Sequence, residues 1–169
     1  MTKSVQAQPV QPGDEKKPSP RHLHFDALPD AKAEAERLLE SGYLMAGNWT
    51  LGQNCRHCGD FMRYSVDGFP GFKLPWPITS IVRGLFLSEK KLAKPMPKGL
   101  PTAPAFKPPT DVEDAAEVAY FAEQLQRVID HDGEFQKSPV FGKLTPEQWR
   151  QIHRAHCELH LGMLVPKTV

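Results

Sequence analysis

Apolar residues recur at helical spacing in four segments of the chain, and each segment carries its own start and stop signals. The first is DAKAEAERLLESG, residues 30–42. Asp30 stands where a cap belongs, the interior is Ala, Glu and Leu, and Gly42 suits the left-handed turn after a last helical residue. The second opens at TLGQ, where Thr50 and Gln53 have capping-box spacing, and runs to about Val66 before DGFPG stops it. The third opens at TDVE, again with box spacing (Thr110, Glu113), and runs to about His131, with Gly133 behind it. The fourth opens at TPEQ: Thr145 caps, Pro146 takes the first helical position and Gln148 completes the box. It continues until Pro166 stops it. The apolar positions predict a core of Leu38, Leu39, Leu51, Met62, Val118, Phe121, Leu125, Ile129, Trp149, Ile152, Leu159 and Met163.

Between the second and third helices lies a Pro/Gly-rich stretch, residues 68–109. Within it ITSIVRGLFLSEKKLA predicts a further short helix, and KPMPKGLPTAPAFKPP an extended surface loop. Nothing alternates apolar and polar over a strand's length. The fold class is therefore all-α: a four-helix bundle with a long Pro/Gly-rich crossover that contains a short extra helix. Residues 1–20, MTKSVQAQPVQPGDEKKPSP, have no apolar period and are expected to be a disordered tail, with a single domain over 21–169.

Composition narrows the partners. The chain of 169 residues suits one domain, and its formal net charge of +1 gives no field toward nucleic acid or an anionic membrane. Lys90, Lys91, Lys94 and Lys98 read as a solvated loop. No apolar run approaches the ~20 residues of a membrane helix, and the first residues lack a secretory apolar region. Three cysteines do not make a disulfide framework. The expectation is a reduced, cytoplasmic protein with no nucleic-acid or membrane partner.

The chemistry concentrates in HRAHCELHLG, residues 153–162. His156 and His160 are four apart on a helix, so both leave the same face, and His153 falls in the same sector. Spacing of i, i+4 lets two imidazoles bind one metal ion without bending the backbone. The stripe Ile152, Ala155, Leu159, Met163 lies beside them, so the pair reads equally as core histidines or as metal ligands. A distant third histidine tips the balance. His57 sits mid-way along the second helix with Asn54, Phe61 and Tyr64 on its face, and three neutral imidazoles plus water form an open metal site. The pair CRHC, residues 55–58, has no second CxxC to close a zinc site and no thioredoxin-like strand before it. Cys55 reads as a buried small hydrophobe, Cys58 as a pocket residue, and Cys157 as pointing away from the metal. Glu158 falls on the face opposite His156, so the general base of a zinc protease is missing.

The stretch GNWTLGQNCRHCGDFMRYSVDG resembles the second helix of the DinB-like (YfiT-like) superfamily, which opens with Trp-Ser/Thr and places a histidine about eight residues on, as Trp49, Thr50 and His57 do. The closing His-x-x-x-His-x-Gly is matched by His156, His160 and Gly162. RHLHFDAL, YSVDGFP, SPVFGKLTPEQWRQIHRAH and ELHLGML resemble a bacterial domain-of-unknown-function branch of that superfamily. The resemblance implies a four-helix bundle, a divalent metal (Zn or Ni) on His57, His156 and His160, a homodimer, and transfer or isomerisation with a small-molecule thiol such as bacillithiol, mycothiol or glutathione, acting on an electrophile. His153, Tyr64, Asn54 and Cys58 would line the pocket or support the ligands. Cys58 and Met163 replace the leucine and glutamine common in the family and alter the pocket wall. Two other readings stand beside the transferase: a non-catalytic metal- or ligand-binding module, and a metal-dependent hydrolase.

Overall fold

The computed structural model describes residues 17–71 and 104–167, with positions 77, 78, 80, 81, 84 and 102. The described residues are mostly helical. They form α1 (Pro29–Ser41), β1 (Tyr43–Met45), α2 (Leu51–Asp67), a 3-10 turn (Pro104–Phe106), α3 (Asp114–Asp130), α4 (Pro146–Leu161) and β2 (Leu164–Pro166).

Two of the three predicted capping boxes are present. The N–H groups of Gln53 and Gln148 donate to Thr50 Oγ1 and Thr145 Oγ1, and both glutamines accept the cap N–H in return. The third is not. α3 begins at Asp114 after Glu113, with no side-chain cap, and Thr110 lies outside the helix. Asp114 serves α2 instead. Its Oδ1 accepts Gly52 N–H at 2.7 Å and its Oδ2 accepts the Tyr43 hydroxyl at 2.7 Å, while that hydroxyl oxygen accepts Leu51 N–H. The unpaired N–H groups of one helix are thus satisfied from another. α1 also starts a residue earlier than Asp30, at Pro29, whose ring pre-sets the helical φ and whose missing N–H costs nothing there. Asp30 accepts the N–H of Ala27. Gly42 ends α1 at φ 67°, as expected of a glycine there.

α4 ends at Leu161, not at Pro166. Residues 164–166 leave the helix and pair antiparallel with β1, in the register Tyr43↔Pro166, Leu44↔Val165, Met45↔Leu164. Three-residue strands are too short to show alternation, which is why the pattern gave no sign of them. The turn between α4 and β2 needs Gly162: a Cβ there would meet Glu158 O at 2.7 Å and Arg21 O at 2.8 Å.

The helices pack around a main core of Phe25, Leu28, Leu38, Leu51, Met62, Phe121, Leu125 and the three cysteines, among others, with a smaller cluster of Leu144, Trp149 and Ile152. Leu39 is 37% exposed rather than core, and Ile129, Leu159 and Met163 are partly buried. Of the predicted short helix over 78–93, Ile78, Ser80, Ile81 and Gly84 are helical; its other positions lie outside the described residues. The expected tail lies outside them as far as residue 16. Lys17 Nζ donates to Asn48 Oδ1 at 3.1 Å.

Candidate metal centre

α2 supplies His57 and α4 supplies His156 and His160. Their ligand atoms all lie within 4.8 Å of one another, and among the described residues these three make up the group. His57 Nε2 and His156 Nε2 are 3.1 Å apart. Two nitrogens on a tetrahedral cation with bonds of ~2.0–2.1 Å sit about 3.3 Å apart, so this spacing is already close to that of a ligand pair.

Hydrogen bonds decide which nitrogen His57 and His160 offer. His57 Nδ1 is 2.7 Å from the carbonyl of Phe106, which can only accept. Nδ1 therefore carries the proton, and the lone pair lies on Nε2, toward His156. For His160, Nδ1 is 3.1 Å from Asn54 Oδ1. The Asn54 amide nitrogen donates to the carbonyls of Trp49 and Thr50, so its oxygen is the acceptor that meets His160. His160 Nδ1 carries the proton and Nε2 is left free. These partners orient the rings as supporting groups do in metal sites.

Burial lowers all three imidazole pKa values. His57 is 7% exposed, and desolvation shifts it down. His156 is held well below the usual range by burial and then by His160, His57 and His153. His160 is lowered to about 3 by burial and then by His57. All three are neutral at pH 7, the form that binds a metal.

The remaining predicted residues separate. Asn54 supports His160, as described. His153 is fully buried away from the group. Its Nε2 meets Ser65 Oγ at 2.9 Å, and that hydroxyl donates to Met62 O, so His153 Nε2 is the donor. Its ring stacks on Trp149 at 5.3 Å, and burial lowers its pKa to about 3. Tyr64 packs on Phe69 and Phe106 at 5.8 and 6.0 Å, with the Arg63 guanidinium over its ring at 4.6 Å from the centroid. Cys58 packs with the other two cysteines. It is 1% exposed in the main core beside Cys157, and burial raises its pKa. The helical turn that puts His57 toward α4 carries its neighbour into the core. Cys55 and Cys157 are core residues too. Glu158 accepts Phe25 N–H at 2.8 Å and takes no part in the group.

Two contributors carry no role in the sequence reading. Trp49 lies parallel to His160, with ring centroids 5.5 Å apart, and tilts over His57 at 5.1 Å. Its place just before a cap is a helix-start feature and says nothing of where the indole folds. Phe106 acts through a backbone carbonyl, which no side-chain pattern can reveal.

Fold and site together define a helical protein with a three-histidine group able to hold a metal ion. The family described as "Protein of unknown function (DUF1569)" matches residues 17–167, and the chain belongs to that family. No match is found among curated proteins or among solved structures. Among the described residues no helix is long and apolar enough to cross a membrane.

Proposed function

We propose that the protein is a metal-dependent enzyme of the DinB-like type, a four-helix bundle in which His57, His156 and His160 hold a divalent cation, zinc or nickel, for transfer or isomerisation with a low-molecular-weight thiol. A divalent cation in such a site lowers the pKa of a bound thiol and makes the thiolate available at neutral pH. The observation that supports this is the convergence of three neutral imidazoles, two of which, His57 and His160, turn their protonated nitrogens away to Phe106 and Asn54. Three protein ligands leave a coordination position for an outside molecule, whereas structural sites are closed by a fourth. Phe106 and Asn54 hold the His57 and His160 rings in place, and Trp49 covers the His57–His160 side. The hydrolase reading is weaker, because Glu158 is committed to Phe25 and offers no base to the group. A homodimer and a cytoplasmic setting belong to the same proposal.

The test is metal content of protein purified without added metal, followed by turnover of a generic electrophile with a panel of small thiols. His160→Ala should lose both metal and turnover, with far-ultraviolet circular dichroism near that of the unaltered protein. Metal without turnover on any thiol would favour a binding module. Full metal occupancy in His160→Ala would mean that other residues hold it.

A further inference from the structure

We infer that the molecule taking the open position of this centre carries a flat apolar group, aromatic by preference, next to the atom it presents to the metal, and that Trp49 and Phe61 are the walls that select it. The inference rests on the metal reading above.

Among the described residues, the rings that pack against the three histidines, apart from one another, are indole and phenyl. Trp49 lies within 11° of parallel to His160 and tilts over His57, and the Phe61 centroid is 4.9 Å from His156. Phe61 continues into Phe69 at 5.6 Å, and Phe69 into Tyr64 and Phe106 at 5.8 and 6.2 Å. All five of these aromatic residues are partly buried, whereas Phe121 in the core is fully buried. Of these, Trp49 and Phe61 are the two in direct ring contact with the histidines.

Asn54 and Asp60, the polar side chains three positions either side of His57, are already engaged. Asn54 uses its oxygen on His160 and its nitrogen on two backbone carbonyls. Asp60, one turn beyond His57, accepts from Arg56 at 3.0 Å and from the Tyr120 hydroxyl at 2.8 Å. A ligand with a heavily polar body would give up water against these walls without gaining partners. A flat apolar body gains stacking area at little conformational cost.

Charge sets the other half of the ligand. Three neutral imidazoles around a divalent cation leave a net charge of about +2, and among the described residues no carboxylate joins the set to offset it. The donor atom is then one that binds as an anion, such as a thiolate, hydroxamate or phenolate. The Trp49 backbone is tied to the site, because its carbonyl and His160 are held by the same Asn54 amide. Trp49 is thus a specificity-determining residue for the proposed reaction.

The experiment uses the full chain loaded with Co²⁺, whose visible spectrum reports ligand exchange. Benzohydroxamate and acetohydroxamate present the same donor group on a phenyl and a methyl body. Each is titrated, and its affinity is divided by its affinity for free Co²⁺. The corrected preference for benzohydroxamate should be tenfold or more. It should fall to within about threefold in Trp49→Leu at unchanged Co²⁺ stoichiometry, with Phe61→Leu as the second variant should Trp49→Leu fold poorly. A corrected ratio near one in the unaltered protein overturns the inference and leaves the metal reading standing. A preference that survives in both variants overturns the role of these walls. Failure of the protein to bind Co²⁺ at all rejects the metal reading, and this inference with it.

Discussion

Asn54 donates both amide hydrogens to backbone carbonyls, and that commits its oxygen to His160. Cutting the side chain back to alanine frees the imidazole to rotate and to change tautomer. Asn54→Ala should therefore weaken metal binding by roughly 10–100-fold, measured by competition with a chromophoric chelator, while the three ligands remain. His153 allows a second test, because it is buried but outside the group. It protonates at about 3 in the fold, against about 6.5 in an unfolded chain. Between those values the unfolded chain holds the proton and the native protein does not. Its contribution to stability is complete above pH 6.5 and is lost as the pH falls toward 3. A single such group gives a slope of about 1.4 kcal/mol per pH unit within that window. In metal-free protein, His153→Leu should make the fall of stability between pH 6 and 4 shallower by one proton, read from urea unfolding at several pH values.

At the scale of elements, the site depends on how close α2 comes to its neighbours. Gly59 lies one turn from Cys55 on the α3 side of α2, and a Cβ there would meet Tyr120 Cε1 at 2.8 Å and Cδ1 at 3.1 Å. The Tyr120 ring cannot simply swing aside, because its hydroxyl is bonded to Asp60 and Arg63. Gly59→Ala should cost about 1–3 kcal/mol despite the better helix propensity of alanine, measured by chemical denaturation. Elements also show where local signals suffice. Thr50–Gln53 and Thr145–Gln148 close within four residues of chain, so the starts of α2 and α4 are legible in the sequence. The start of α3 is not, because Asp114 answers to Gly52 and Tyr43, which are 62 and 71 residues away along the chain.

For the whole molecule, the question is whether metal is a ligand of the fold or its foundation. The helices bury large apolar side chains in a continuous core that does not include the histidine group, with Phe121, Leu38, Leu51 and Val128 at 0% exposure. Each such side chain contributes on the order of 1.5–3 kcal/mol on burial, so the core stands without the metal. Removing the proposed metal should lower stability by roughly 3–4 kcal/mol at ~100–1,000-fold saturation, seen as a lower thermal midpoint with chelator. Helical content below the transition should not change, unlike a zinc finger, which unfolds when chelated.

The sequence by itself determined what is encoded over a few residues: four helical segments, two capping boxes, Gly42 at the end of α1, and the i, i+4 pair of His156 and His160. It also nominated His57, because the histidine, Asn54 and Phe61 share a face at helical spacing. What only the tertiary structure decided depends on contacts between distant parts of the chain. β1 and β2 exist because residues 164–166 meet 43–45. Cys58 belongs to the core because Cys157 is there to meet it. His153 leaves the metal group because Ser65 and Trp149 hold it elsewhere. The free nitrogen of His57 is set by a carbonyl 49 residues along the chain, at Phe106. Periodicity assigns a side chain to a face of its own helix, but its chemical state depends on the groups the fold brings against that face.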